Sequence, residues 1–273
     1  MKLTKKLFVL GLALVFVLGI SGITFAGGHL GGPWYVDTGE YFDLPWVVDL
    51  NAEILQYGEN NAAEIDQINH GFAHIGQGID NHLGAQSHSV GNIAAIDQDN
   101  EVEGAPNQAE INQQGDYNKA LIDQQGLGNY AGVGQNGMNM FADLRQDAID
   151  SFIRVSQFGG SGSVAEVVQY GNLNRARASQ DGDEHDVNIF QGEESYFNYA
   201  KVEQSGNDQE ATIKQFGAEN GAFVDQAGAY NWASVTQDGE MNEAEVYQDG
   251  TEFTALIDQE GDSNSALITQ SGF

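Results

Sequence analysis

A unit of eleven residues recurs along most of the chain, and no other feature constrains its folding as tightly. Gln113-Gln-Gly115-Asp-Tyr-Asn118-Lys-Ala120-Leu-Ile122-Asp-Gln124 is followed at once by Gln124-Gln-Gly126-Leu-Gly-Asn129-Tyr-Ala131-Gly-Val133-Gly-Gln135. The pattern is Q-x-G-x-x-N-x-A-x-[IV]-x-Q, and each last Gln opens the next unit. It returns from Gln169 through Gly171 and Asn174 to Gln180, and from Gln215 through Gly217 and Asn220 to Gln226. Glutamines fall at 204, 215, 226, 237, 248, 259 and 270, each eleven apart. Between them Gly206, Gly228, Gly239, Gly250 and Gly261 keep the glycine slot, and Asn231, Asn242 and Asn264 the asparagine slot. About nineteen units run from Gln56 to Phe273. Met140, His185, Gln209 and Phe253 replace the asparagine in four of them. Gln77 to Asn107, which contains Pro106, and Gln146 to Gln169 hold the register poorly.

Within a unit Asn, Ala, Ile/Val and Gln stand two apart, as in Asn231, Ala233, Val235 and Gln237. Spacing of two puts them on one face of a strand, and a helix would need a period near 3.6. The segment from Asn to Gln is then a strand, and the x-G-x-x that follows is a tight turn using glycine's backbone freedom. One strand cannot bury its face alone, but two back to back can. The expected fold is all-β: a cross-β solenoid of stacked two-strand coils, about 22 residues each, with coils ~4.8 Å apart. Its interior would hold small Ala and branched Ile/Val, which allow close sheet approach. It would also hold Asn and Gln amides that cannot stay unpaired. In-register stacking lets each amide donate to the one above and accept from the one below. The ladder expected on these grounds comprises Gln113, Asn118, Gln124, Asn129, Gln135, Gln169, Asn174, Gln180, Gln204, Gln215, Asn220, Gln226, Asn231, Gln237, Asn242, Gln248, Gln259, Asn264 and Gln270. Its turn glycines are Gly115, Gly126, Gly171, Gly206, Gly217, Gly228, Gly239, Gly250 and Gly261.

Lys2, Lys5 and Lys6 precede the apolar stretch Leu7 to Ile20, and Thr24 and Ala26 are small residues where a signal peptidase reads. Residues 1–26 therefore read as a cleaved secretory signal, and the protein as secreted, without stable membrane insertion. Residues 27–55 form an aromatic leader containing Pro33, Trp34, Tyr35, Tyr41, Phe42, Pro45 and Trp46. An export signal, a cap and a disordered leader all stay open for it. Residues 56–273 are the repeat domain. With 40 Asp+Glu against 10 Lys+Arg and a net charge of -30, the chain repels phosphate backbones, which excludes nucleic acid as a partner. It has no cysteine, so neither disulfides nor thiolate chemistry contribute. The repeat continues to Gln270-Ser-Gly272-Phe273 with no capping segment in view, so an uncovered edge with matching amide rows is expected to template another copy.

The motif Q-x-G-x-x-N-x-A-x-x-x-Q resembles the curlin repeat of bacterial curli fibre subunits, over roughly Gln56 to Phe273. The resemblance implies a functional amyloid of the biofilm matrix. Such a subunit leaves the cell unfolded through an outer-membrane pore and polymerises at the surface, seeded by a nucleator subunit. Its inward Gln and Asn rows are the amyloid core. The chain has more units than the usual curlin and is more acidic, and its post-signal segment is aromatic rather than rich in glycine and asparagine.

Other chemistry is weaker. His70, His74, His82 and His88 cluster, but they read better as variant repeat residues than as metal ligands, and no HExxH motif occurs. Carboxylates recur on faces and turns with no insertion long enough to build a cleft, so a secreted polysaccharide-cleaving β-helix is disfavoured. The period of eleven differs from the nine of calcium β-rolls. The sequence therefore assigns no catalytic, cofactor or metal site. Its main functional rival to a fibre is a monomeric solenoid acting as an adhesin or binding module.

Overall fold

The computed structural model describes residues 33–35, 41–43, 50–68, 71–80, 85–86, 89–99 and 106–272. The expected signal segment and most of the aromatic leader lie outside them, as do His70, His82 and His88. From Leu50 onward the described chain winds into a flat solenoid of two parallel sheets. The first sheet has ten strands, beginning Leu50–Gln56, Gly71–Gln77, Asn107–Asp116, Tyr130–Met138 and ending at Ser265–Ser271. The second has nine, beginning Ala62–Ile68, Ile93–Asp99, Lys119–Leu127 and ending at Thr254–Glu260. Successive strands of the regular repeat fall in opposite sheets, so each coil contributes one rung to each.

Pairing is in register by residue type. Gln113 lies opposite Gln135, Gln124 opposite Gln146 and Gln226 opposite Gln248, with Ala opposite Ala between the same strands. Inward positions alternate with outward ones along every strand. Ala120, Ile122, Ala142, Leu144, Ala211 and Ile213 are fully or almost fully buried, and so are the glutamines that follow them. Ala178 stands in the branched row and Val187 in the alanine row of the next strand, so volume lost in one row is regained in the other.

The solenoid differs from the expectation in three respects. Its first rung begins at Leu50, ahead of Gln56, because Leu50–Gln56 pairs in parallel with Gly71–Gln77. Register lost in the sequence between Gln77 and Asn107 is recovered in space. Ile93–Asp99 joins Ala62–Ile68 with Gln98 opposite Gln67, and Asn107–Asp116 joins Gly71–Gln77 with Gln113 opposite Gln77. The rungs on either side of the extra residues keep their pairing. The stretch Gln146 to Gln169 also keeps its rungs, its one extra residue taken up by a β-bulge at Gly159–Gly160: Gln146 and Gln157 take their places in the rows, and Ser151 and Ser163 fill the asparagine slot.

The strands also run farther than Asn to Gln. Most span nine residues, as in Glu243–Thr251, and pairing continues through the glycine. All nine expected turn glycines have positive φ, and at all but Gly261 the ribbon bends without leaving the ladder. At Gly228 φ is 105°, and a Cβ would sit 2.0 Å from the carbonyl oxygen of Gly250 one coil on. Glycine is thus required twice, for backbone conformation and for rung-to-rung approach. The reversal itself comes at the residue before the asparagine slot, which is left-handed whatever its type: Leu173, Tyr230 and Met241 have φ of 59°, 56° and 56°.

Candidate functional site: two amide ladders and their turn columns

The glutamines of each sheet form one continuous row. In the first sheet Gln56, Gln77, Gln113, Gln135, Gln157, Gln180, Gln204, Gln226, Gln248 and Gln270 are joined by nine Nε2–H to Oε1 bonds. In the second sheet Gln67, Gln98, Gln124, Gln146, Gln169, Gln191, Gln215, Gln237 and Gln259 are joined by eight. A typical link is Gln215 Nε2 to Gln237 Oε1 at 2.9 Å. In every link the donor belongs to the earlier coil. The second amide hydrogen crosses to the facing sheet. Gln237 Nε2 donates to the Gly221 carbonyl at 2.9 Å and Gln215 Nε2 to the Tyr199 carbonyl at 3.0 Å. Most interior glutamines thereby spend both donors and their acceptor, the condition for burying an amide at little cost, while Gln124 and Gln146 show only their row bonds. The expected glutamines all occupy these rows. Gln56, Gln67, Gln77, Gln98, Gln146, Gln157 and Gln191 join them; the signal that finds these is the branched residue two before each, as in Ile54, Ile65, Ile75 and Ile96.

The asparagines do not form the expected side-chain ladder. Asn220 Oδ1 accepts the backbone N–H of Asn242 at 3.0 Å, and its Nδ2 donates to the carbonyls of Phe216 and Gly239. The reason is reach: the side chain is one carbon shorter than Gln and sits at the reversal, where main-chain groups turn inward. Asn thus clips each turn to the next coil through the backbone. Asn264 Nδ2 to Asn242 Oδ1 at 3.0 Å is the exception.

The two turn columns are unequal. Before the first sheet, Asn107, Asn129, Ser151, Asn174, Asn198, Asn220, Asn242 and Asn264 are linked without a break. Before the second sheet, Asn61, Asn92 and Asn118 are followed by Met140, Ser163, His185, Gln209, Asn231 and Phe253. All four exceptions noted in the sequence fall in this column. His185 and Gln209 are buried neighbours, with Asp186 N–H bonded to the Gln209 carbonyl at 2.8 Å. His185 Nε2 contacts the Asp181 carbonyl, while His185 Nδ1 and Gln209 Oε1 are buried without partners. Burial pushes the His185 pKa down, partly offset by that carbonyl and by nearby aspartates.

The outward faces carry charge in columns. Asp66, Asp97 and Asp123 stack on consecutive rungs of the second sheet. Burial, and then its acidic neighbours, raise Asp97 above the ordinary carboxylate range. His74 faces Glu53 at 3.8 Å, and among the described residues no group of three or more His, Cys, Asp or Glu is placed to hold a metal.

Comparison with known families agrees with this architecture. The curlin associated repeat matches residues 104–137, 160–192, 217–250 and 239–272. No curated protein matches the chain. Register, glutamine rows and asparagine clips all recur with the period of those repeats, and the chain is a curlin-type protein.

Proposed function

We infer that the protein is a secreted structural subunit that self-assembles into an amyloid fibre of the extracellular matrix, supporting adhesion and biofilm formation. The observation that carries this reading is the pair of glutamine rows. Each rung offers the next an identical pattern of amide and backbone groups, so a rung from another copy fits where a rung of the same chain does. Curlin repeats are structural, and the family is associated with extracellular curli fibres. An export pore in the outer membrane and a nucleator subunit are the partners this reading implies, and the signal-like residues 1–26 accord with export.

Thioflavin fluorescence over time, on purified protein at micromolar concentration and neutral pH, tests it. A lag that preformed seeds abolish is the expected result. A flat trace from a folded chain that stays monomeric overturns the fibre reading and favours the adhesin.

A further inference from the structure

Outside the first six residues the chain has seven basic side chains, and four of them lie together on the first sheet. Arg154, Arg177 and Lys201 occupy one outward column on the fifth, sixth and seventh rungs, Phe152–Ser161, Arg175–Asp183 and Tyr199–Asn207. Arg175 stands beside Arg177, two residues earlier on the same strand. Lys201 is engaged by Glu203 at 2.9 Å. The three arginines are exposed and, among the described residues, have no carboxylate partner. Their neighbours on the face are Phe152, Ser156, Ser179, Tyr199 and the Glu203 that engages Lys201. In a chain with 40 acidic residues that segregation is unusual. Arg175 and Arg177 rest over the Phe152 ring at 5.8 and 5.5 Å, and Tyr130 stacks beneath it at 5.0 Å. The rings hold the guanidinium groups in place and leave their outer edges to solvent.

The complementary surface is on the opposite sheet of the same molecule. Its first three rungs, Ala62–Ile68, Ile93–Asp99 and Lys119–Leu127, carry Glu64, Asp66, Asp97, Asp99 and Asp123 outward. Both columns repeat at the rung spacing of ~4.8 Å, so they are commensurate. They also align along the strand. Most buried glutamines reach the carbonyl of the first outward residue across the core, as Gln180 does Val164 and Gln204 does Asp186. That opposition fixes the projection of one sheet on the other. Residues in the Arg154 position fall between the two middle outward columns of the facing sheet, and those in the Arg175 position between the last two.

We propose that this arginine–aromatic face docks on the acidic first three rungs of a second copy of the chain, related by a sideways translation and a stagger of four rungs, about 19 Å. Arg154 then falls between Glu64 and Asp66 of the second copy, Arg175 between Asp97 and Asp99, and Arg177 beside Asp97. The contact relieves like-charge stacking on both sides, which directly opposed strand residues otherwise suffer. Each contact is weak alone, but a fibre presents one per subunit, so two fibres joined along their length gain by multivalency. The proposal rests on the fibre reading and adds to it how fibres bundle.

The test compares wild type with Arg154→Glu/Arg175→Glu/Arg177→Glu. A charge-matched control, Lys119→Glu/Arg145→Glu/Lys214→Glu, makes the same change of net charge on the other sheet. Elongation is followed by thioflavin and bundling by electron microscopy and low-speed sedimentation. Elongation of the arginine variant is expected within about twofold of wild type, with sedimented bundles reduced at least fivefold and the control much less affected. Mixing it with fibres of Glu64→Lys/Asp66→Lys/Asp97→Lys/Asp99→Lys restores bundling. Equal loss in variant and control, or no gain on mixing, overturns the proposal. If wild type forms no thioflavin-positive fibres, the fibre reading fails separately. The docking is then read by sedimentation of the soluble chain at tens of micromolar: wild type must associate and the arginine variant must not, and a monomeric wild type overturns it.

Discussion

His185 and Gln209 are the residues at which the repeat works against itself. An asparagine in either slot would clip its turn to the next coil, as Asn220 does. Instead a ring nitrogen and an amide oxygen are buried unbonded on adjacent coils. An unsatisfied buried group costs roughly 1–3 kcal/mol, so His185→Asn/Gln209→Asn should raise unfolding free energy by about 2–4 kcal/mol, read by denaturant melts. The pH dependence has a definite sign. His185 binds its proton less readily folded than unfolded, so the folded state loses stability as pH falls below the unfolded value of about 6.5. His185→Asn alone should flatten the stability profile below about pH 6.5. Asp97, Asp123, Asp186 and Asp225 act oppositely. Burial raises each, so their contribution is present in acid and is lost as pH rises through their folded values. The sequence shows that His185, Gln209, Met140 and Phe253 break the pattern. It does not show at a glance that they share an edge, because that depends on which sheet each strand joins. At Gly228 the requirement is steric, and Gly228→Ala should cost at least about 2 kcal/mol by the same measurement.

At the scale of the element, the strand was legible because spacing of two is unambiguous when Asn, Ala, Ile/Val and Gln repeat it many times. Its extent was not. Glycine ordinarily marks where a strand stops, whereas here Gly206 pairs with Gly228 and Gly228 with Gly250 as the ribbon bends. The true reversal lies one residue before the asparagine slot. It was invisible in the sequence because Leu173, Glu219, Tyr230 and Met241 share a backbone conformation and no side-chain chemistry. A left-handed non-glycine residue is held at a cost of ~1 kcal/mol, so Leu173→Gly should stabilise the solenoid by up to that amount. Thermal melting of the variant checks it. The asparagine role failed in the sequence for a related reason: which groups lie within reach depends on where the reversal falls. The glutamine rows are different, since their bonds follow from register alone. Gln237→Leu strands the Gly221 carbonyl, the Gln215 donor and the Gln259 acceptor. A loss of roughly 3 kcal/mol or more is expected. Replacing Gln215, Gln237 and Gln259 together by Leu should slow seeded fibre growth severalfold, and unchanged kinetics would count against the glutamine rows as the template.

For the whole molecule, charge and register compete. A net charge of -30 opposes bringing copies together, while every rung favours it. Assembly should therefore quicken as pH falls toward the pI near 4.1, or as salt screens the carboxylates, with the lag time as the readout. Slower assembly under both conditions would remove charge as the brake. One property of the glutamine rows bears on the fibre as an object. All the Gln–Gln bonds point their N–H toward the C-terminal coils. An amide carries about 3.5 D, and dipoles aligned head to tail add up, as peptide units do in a helix. Each row is therefore a small electret, positive toward the later coils and negative toward the earlier. A filament that continues the rows inherits this direction and cannot have two equivalent tips. Its two tips should lengthen at different speeds, as on a ratchet, and capture ions of opposite sign.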